Sequence, residues 1–155
     1  MAYDCFMCAA IEFQNRHILF ASDDPQLPLL LRDGSVGWVP WGRPYAEQRD
    51  RRMPAGGWAR LESIHAGAWK KYGAKPVQIL ARRYMERAKD GRAVWFDVPD
   101  GLVIQGAAIK VANATLQAEF GAELVRAYVV TVPAIGDVAA VHDRMPRLVR
   151  TDRNE

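Results

Sequence analysis

Long hydrophobic runs are missing from this chain. No stretch comes near the roughly 18 consecutive apolar residues that a membrane-spanning helix needs, and the N-terminus, Met1-Ala2-Tyr3-Asp4, has neither the basic segment nor the apolar core of a secretory leader. A cytoplasmic protein with no membrane partner is expected. Cysteine is nearly as scarce, with Cys5 and Cys8 the only two, spaced Cys-x-x-Cys. A structural zinc site would need two further ligands, yet neither a second cysteine pair nor a His-x-x-x-His follows. A redox motif would need a strand before the first cysteine, and Met1 to Asp4 leave little room for one. No metal and no cofactor are therefore expected, and the pair acts, if at all, through one thiolate. Histidine is rare too: with three in the chain, any one of them is more often structural than catalytic. Internal repeats and low-complexity segments are absent, which excludes solenoids and arrays.

What is present fits one domain. The 155 residues are half hydrophobic and a quarter charged, enough for a single real core spanning residues 1–155. The net charge of +3 hides clusters of arginine at Arg43, Arg49, Arg51 and Arg52, at Arg82, Arg83 and Arg87, and at Arg144, Arg147, Arg150 and Arg153. Such clusters can hold phosphates, and five tryptophans interleaved with arginine suit the stacking of single-stranded bases. A solvated basic surface and ordinary core packing account for the same residues equally well.

The chain is organised around Tyr128-Val129-Val130-Thr131-Val132-Pro133-Ala134, an apolar, β-branched run that reads as a buried strand halted by Pro133 and Gly136. A short helical turn is predicted next, with Asp137 as its N-cap and Val138 and Val141 on one face, delivering His142 between Val141 and Asp143-Arg144 before Pro146. Upstream, residues 9–21 suggest strands about a turn near Gln14 to Arg16. Residues 29–31 form a strand before the Asp33-Gly34 turn, residues 36–40 a strand ending at Pro40, and residues 43–57 a long exposed loop. Leu61, Ile64, His65, Ala68, Trp69 and Tyr72 recur at helical spacing up to Gly73, which predicts the one main amphipathic helix, with His65 packed on its apolar face. Residues 76–90 are open to two readings. Their periodicity fits a helix, whereas Asp90-Gly91 and Asp100-Gly101 beside strand-like runs fit an antiparallel meander. The strand from Leu102 continues past Gly106, and residues 147–155 are expected to form a frayed tail.

With those elements in place, the segment from Thr131-Val132-Pro133-Ala134 to His142-Asp143-Arg144-Met145-Pro146 resembles the hallmark of the SOS-response-associated peptidase (SRAP) domain. Trp41-Gly42 resembles that family's Trp-Gly strand end, Ala59-Arg60-Leu61-Glu62-Ser63 its Asn-Ala-Arg-x-Glu-Thr helix entry, Tyr84-Met85-Glu86 its aromatic-x-Glu-Trp strand, and Met7-Cys8 its initiating Met-Cys. The resemblance spans about residues 7 to 150 and implies strand for residues 76–90. The fold it implies is α+β: a single antiparallel β-rich domain, barrel-like or a meander, with short helical turns. The function it implies is binding of single-stranded or damaged DNA, with crosslinking of abasic sites, abasic-site lyase activity or self-processing peptidase activity. Cys8, Glu86 and His142 would be the catalytic residues: the cysteine traps a ring-opened sugar as a thiazolidine, Glu86 is the acid/base near the sugar, and His142 moves protons at neutral pH. Trp41, Arg43, Arg60 and Arg144 would contact DNA.

The sequence departs from the family pattern in three ways. Residues 1–6 precede Met7, so the Cys8 amine lies in a peptide bond, and the chemistry requires translation from Met7 or removal of that extension. Trp58 stands where the family has Asn, and Ala9-Ala10 where it has Gly-Arg. A diverged or truncated member fits these facts. The alternative is a catalytically degenerate DNA-binding or protein-interaction module of the same fold, and a small redox or zinc protein built on Cys5 and Cys8 is a distant third.

Overall fold

The computed structural model describes residues 9–43, 53–111 and 124–151. Strand β1 (Ala10–Phe13) reverses at Gln14-Asn15, whose φ angles of 51° and 60° are the left-handed pair a two-residue hairpin requires. It returns as β2 (Arg16–Leu19). Strand β3 (Gln26–Leu30) and strand β4 (Val36–Pro40) follow, joined through Asp33-Gly34 with Gly34 at φ 86°. Next come β5 (Trp58–Arg60), helix α1 (Leu61–His65) and a 3-10 turn at Lys70–Tyr72. The remaining strands are β6 (Lys75–Ile79), β7 (Arg83–Arg87), β8 (Ala93–Asp97), β9 (Leu102–Val111) and β10 (Leu124–Pro133). Helix α2 (Gly136–Ala139) and strands β11 (Arg144–Pro146) and β12 (Leu148–Arg150) complete the chain. The architecture is α+β and β-rich, and residues 76–90 hold strands β6 and β7, joined by residues 80–82 and followed by a turn, rather than a helix.

Four strands form a small antiparallel sheet in the order β2-β1-β7-β8, and the others form a sheet of order β11-β10-β9-β6-β3-β4, with β12 added to β9 and β5 lying parallel to β10. Trp41, one residue beyond β4, bridges in parallel to Ala127 of β10, so the large sheet curls back on itself like a barrel. Strand β10 is the hub. Ala127 and Val129 enter one apolar cluster with Ile11, Leu27, Trp41 and Ile104, while Tyr128 and Val130 enter a second with Trp69 and Ile109. A strand buried on both faces has no polar side to alternate with, which is why its sequence reads as one continuous apolar run. On the outer face of the small sheet, cross-strand pairing sets His17, Glu12, Arg83 and Asp97 in one row of alternating charge. The hydrogen bond from Arg83 holds the Glu12 carboxyl below its usual range, against the opposing effect of burial, with a smaller contribution from His17.

Three expectations are corrected. The predicted long helix is helical only over Leu61–His65, because Trp58, Ala59 and Arg60 pair with Val129, Val130 and Thr131, and Gly67 takes a left-handed φ of 90° that ends the helix. Its apolar spacing is still used: Leu61, Ile64, Trp69 and Tyr72 all pack on the second cluster, whereas His65 is exposed. Asp137 does not cap α2. Ile135 occupies the N-cap position without a side-chain bond, and Asp137 lies inside the first turn. The tail is not frayed from residue 147, since β10 leaves β9 at Gly106 and the open edge at Leu102–Ile104 is taken by β12. Of the predicted loop, Arg43 and Gly56 exchange both backbone bonds at 2.9 Å and Met53 is buried, while residues 44–52 lie outside the described residues. Among the described residues, no helix is long and apolar enough to cross a membrane.

Candidate active site

Strand β7 alternates between the two faces of the small sheet, which turns Tyr84 and Glu86 toward the core. Tyr84 joins the main apolar cluster, and Glu86 is wholly buried. A carboxyl group in that position needs a polar neighbour, and His142 supplies one from the turn between α2 and β11. The α2 turn sets its place: Val138 is buried as the anchor, its carbonyl accepts from His142 N at 2.8 Å, and Ala134 N donates to the Asp143 carbonyl at 2.9 Å. His142 Nδ1 then lies 3.9 Å from Glu86 Oε1, with the imidazole side chain 13% exposed. Nδ1 faces the backbone of Arg144, accepting from its N–H at 3.0 Å when unprotonated. When Nδ1 carries a proton, the Arg144 carbonyl accepts it at 3.1 Å, and Glu86 Oε1 at 3.9 Å stands beyond hydrogen-bonding distance but close enough to act through its charge.

The structure brings together two of the three expected catalytic residues. The third, Cys8, lies outside the described residues, as does Cys5. Its chain neighbour Ala9 is fixed from both sides: Ala9 N donates to the carbonyl of Met85, adjacent to Glu86, at 2.9 Å, and its own carbonyl accepts from Phe20 N at 3.1 Å.

The expected DNA contacts divide differently. Arg60 is exposed. Trp41 is fully buried, its indole N–H donating to the Gly57 carbonyl at 2.9 Å and its ring set edge-on to Phe20 and Trp58, so it presents no face for a base. Arg43 is buried. Arg144 points inward, with Nη1 to Glu62 Oε2 at 2.6 Å and Nη2 to Glu62 Oε1 at 2.9 Å, while Nη2 also reaches the Thr131 carbonyl at 2.9 Å. Its fork is spent tying the residue that follows the His142 turn to α1 and to the centre of β10. The role of Glu62 was missed in the sequence, where it stood only as part of the Arg60–Ser63 match. Trp58, in the position of the family Asn, packs its ring against Phe20 at 4.9 Å and Trp41 at 6.4 Å and so belongs to the aromatic cluster.

The clamp has a pH signature. Hydrogen bonding from Arg144, aided by the backbone and by the charges of Arg144 and Arg60, holds the Glu62 carboxyl at about 2, against an ordinary value of 4.5. A carboxyl lowered on folding contributes stability that is complete above about 4.5 and is lost as the pH falls toward about 2. Glu62 is 56% exposed, so solvent screens the effect. Thermal unfolding between those two pH values is expected to fall more steeply in the unmodified chain than in Glu62→Gln. Parallel curves would show that the clamp contributes nothing.

No protein-family model matches the chain, and a search of curated proteins gives no match. Among solved structures, the fold is similar to that of a Bacteroides thetaiotaomicron protein determined by X-ray crystallography as a structural genomics target, with a TM-score of 0.64 and 16% sequence identity. The likeness is one of fold. It covers 88% of this chain and 63% of the other, so this chain spans less than two thirds of that protein's length.

Proposed function

We propose that the chain is an SRAP-like domain that binds single-stranded DNA and, once Cys8 is N-terminal, joins to abasic sites. The observation that carries this reading is the meeting of Glu86 and His142. These residues, distant in sequence and singled out by the family resemblance, approach to 3.9 Å with the carboxyl fully buried. In the proposed reaction the Cys8 amine attacks the aldehyde of the ring-opened sugar, and the resulting carbinolamine loses water to give an imine. The thiol adds to the imine carbon, and its proton passes to nitrogen. One water is lost in all, no oxidant is needed, and each step requires a proton delivered or taken at neutral pH, which suits a carboxyl–imidazole pair.

Trp58 favours a second reading, a DNA-binding or protein-interaction module of this fold without the chemistry, because an aromatic side chain packed on Phe20 and Trp41 replaces the amide that would orient the sugar. One experiment separates the two. The full chain, a chain translated from Met7 and trimmed to Cys8, and its Cys8→Ala variant are incubated with single-stranded DNA carrying one abasic site. A denaturant-resistant adduct is expected only from the chain beginning at Cys8. Binding without an adduct supports the module, and absence of DNA binding rejects DNA as the partner.

A further inference from the structure

The buried Glu86 meets solvent only through His142, which is part of a larger feature. Beside it opens a hollow of about 360 Å³, walled on one side by the β7–β8 turn with Lys89, Asp90 and Arg92, and on the other by the end of α2 with His142 and Asp143. With a water occupying roughly 30 Å³ of liquid, this is room for a sugar-phosphate unit. The turn that forms the wall is internally fixed. Gly91 adopts a left-handed φ of 89°, Asp90 accepts from Arg92 Nε at 2.8 Å and from Arg92 N at 3.0 Å, and Arg87 donates to the Gly91 carbonyl at 3.0 Å. These bonds consume the one acid of the turn. They leave Lys89, exposed and making no ion pair among the described residues, on a hairpin tip where Arg87, Lys89 and Arg92 outnumber Asp90.

We infer that this hollow holds a backbone phosphate of the single strand next to the reacting sugar, with Lys89 as its principal charge and Arg92 beside it. The inference rests on the DNA reading above. A strand whose sugar reacts at His142 has a phosphate on either side of that sugar, and His142 is a wall of the hollow. Among the described residues lining the hollow, Asp143, exposed at the lip, is the one acid that makes no ion pair, and its charge opposes that of Lys89. The sequence named other arginines for DNA, and two of those, Arg43 and Arg144, are buried. The hairpin carries charge that is free to act.

The test is the salt dependence of affinity for an intact single-stranded oligonucleotide, measured by fluorescence anisotropy on the full chain. Each lost phosphate contact is expected to lower the slope of log K against log salt by about 0.7, so Lys89→Ala loses about 0.7 and Lys89→Ala with Arg92→Ala about 1.4. Lys89→Arg keeps the slope, as does Lys75→Ala on β6. Melting curves of the variants establish that the hairpin still folds. An unchanged slope in Lys89→Ala and in the Lys89→Ala, Arg92→Ala double variant overturns the hollow as a phosphate site while leaving the DNA reading in place. Absence of any salt-dependent binding by the unmodified chain overturns both.

Discussion

Replacing Glu86 by Gln in a chain that begins at Cys8 is expected to slow adduct formation on abasic DNA by about 10²- to 10⁴-fold, the range of a lost general acid or base. The amide keeps the shape of the carboxyl, so the buried site under β7 stays filled, but it cannot take up or release a proton at neutral pH. DNA affinity is expected to hold within about threefold, because a wholly buried side chain does not touch the strand's phosphates. His142→Asn is expected to give a similar loss, since Nδ1 of His142 and Oε1 of Glu86 are neighbours at 3.9 Å. The double variant is expected to be little worse than the slower single variant, the non-additivity of two groups acting as a unit. Single-turnover rates on gels check all three variants. A normal rate in Glu86→Gln would remove the carboxyl from the chemistry.

Trp41→Ala is expected to cost about 3–5 kcal/mol of folding stability, a large share of the roughly 5–15 kcal/mol of an ordinary domain. The indole fills space against Phe20 and Trp58 and its N–H donates to the Gly57 carbonyl, which also accepts from Val129 N at 2.9 Å, so truncation opens a cavity and removes one of that carbonyl's two donors. Trp41 also sits where the curled sheet closes against Ala127, so the loss is felt by both β4 and β10. Trp41→Phe keeps a ring and loses the bond and some volume, with an expected cost of about 1–2 kcal/mol. Urea unfolding reads both as shifts in midpoint at constant slope. Single-strand affinity should not change in Trp41→Phe. A fall in affinity at unchanged stability would instead give Trp41 the stacking role that its position in the sequence suggested.

How much could be read in advance depended on how far apart the interacting residues lie. Hairpins announced themselves because their chemistry is confined to a few residues. Gln14-Asn15, Asp33-Gly34 and Asp90-Gly91 each join two paired antiparallel strands through left-handed φ angles, whereas Asp100-Gly101, which reads the same way, carries the chain from β8 in the small sheet to β9 in the large one. Periodicity was less dependable. The apolar spacing over residues 61–72 predicted one helix, but a short helix and a 3-10 turn broken at Gly67 satisfy the same burial on one cluster. Spacing reports which residues are buried and not how many turns carry them there.

The sequence by itself determined that the run at residues 128–134 is a buried strand and that a short turn after it presents His142. Periodicity left Glu86 open between helix and strand, and the family resemblance favoured strand. Only the tertiary structure decided which polar groups are already committed. Arg144 looked like a phosphate contact beside His142, and its partners turned out to be Glu62 on α1 and Thr131 on β10. Trp41 looked like a stacking surface and proved to close the sheet. Turn residues and apolar runs act over a few bonds and leave their mark in the local sequence. The pairing of an arginine fork or an indole N–H is set by strands that meet from distant parts of the chain, and that juxtaposition exists only once the sheet has formed.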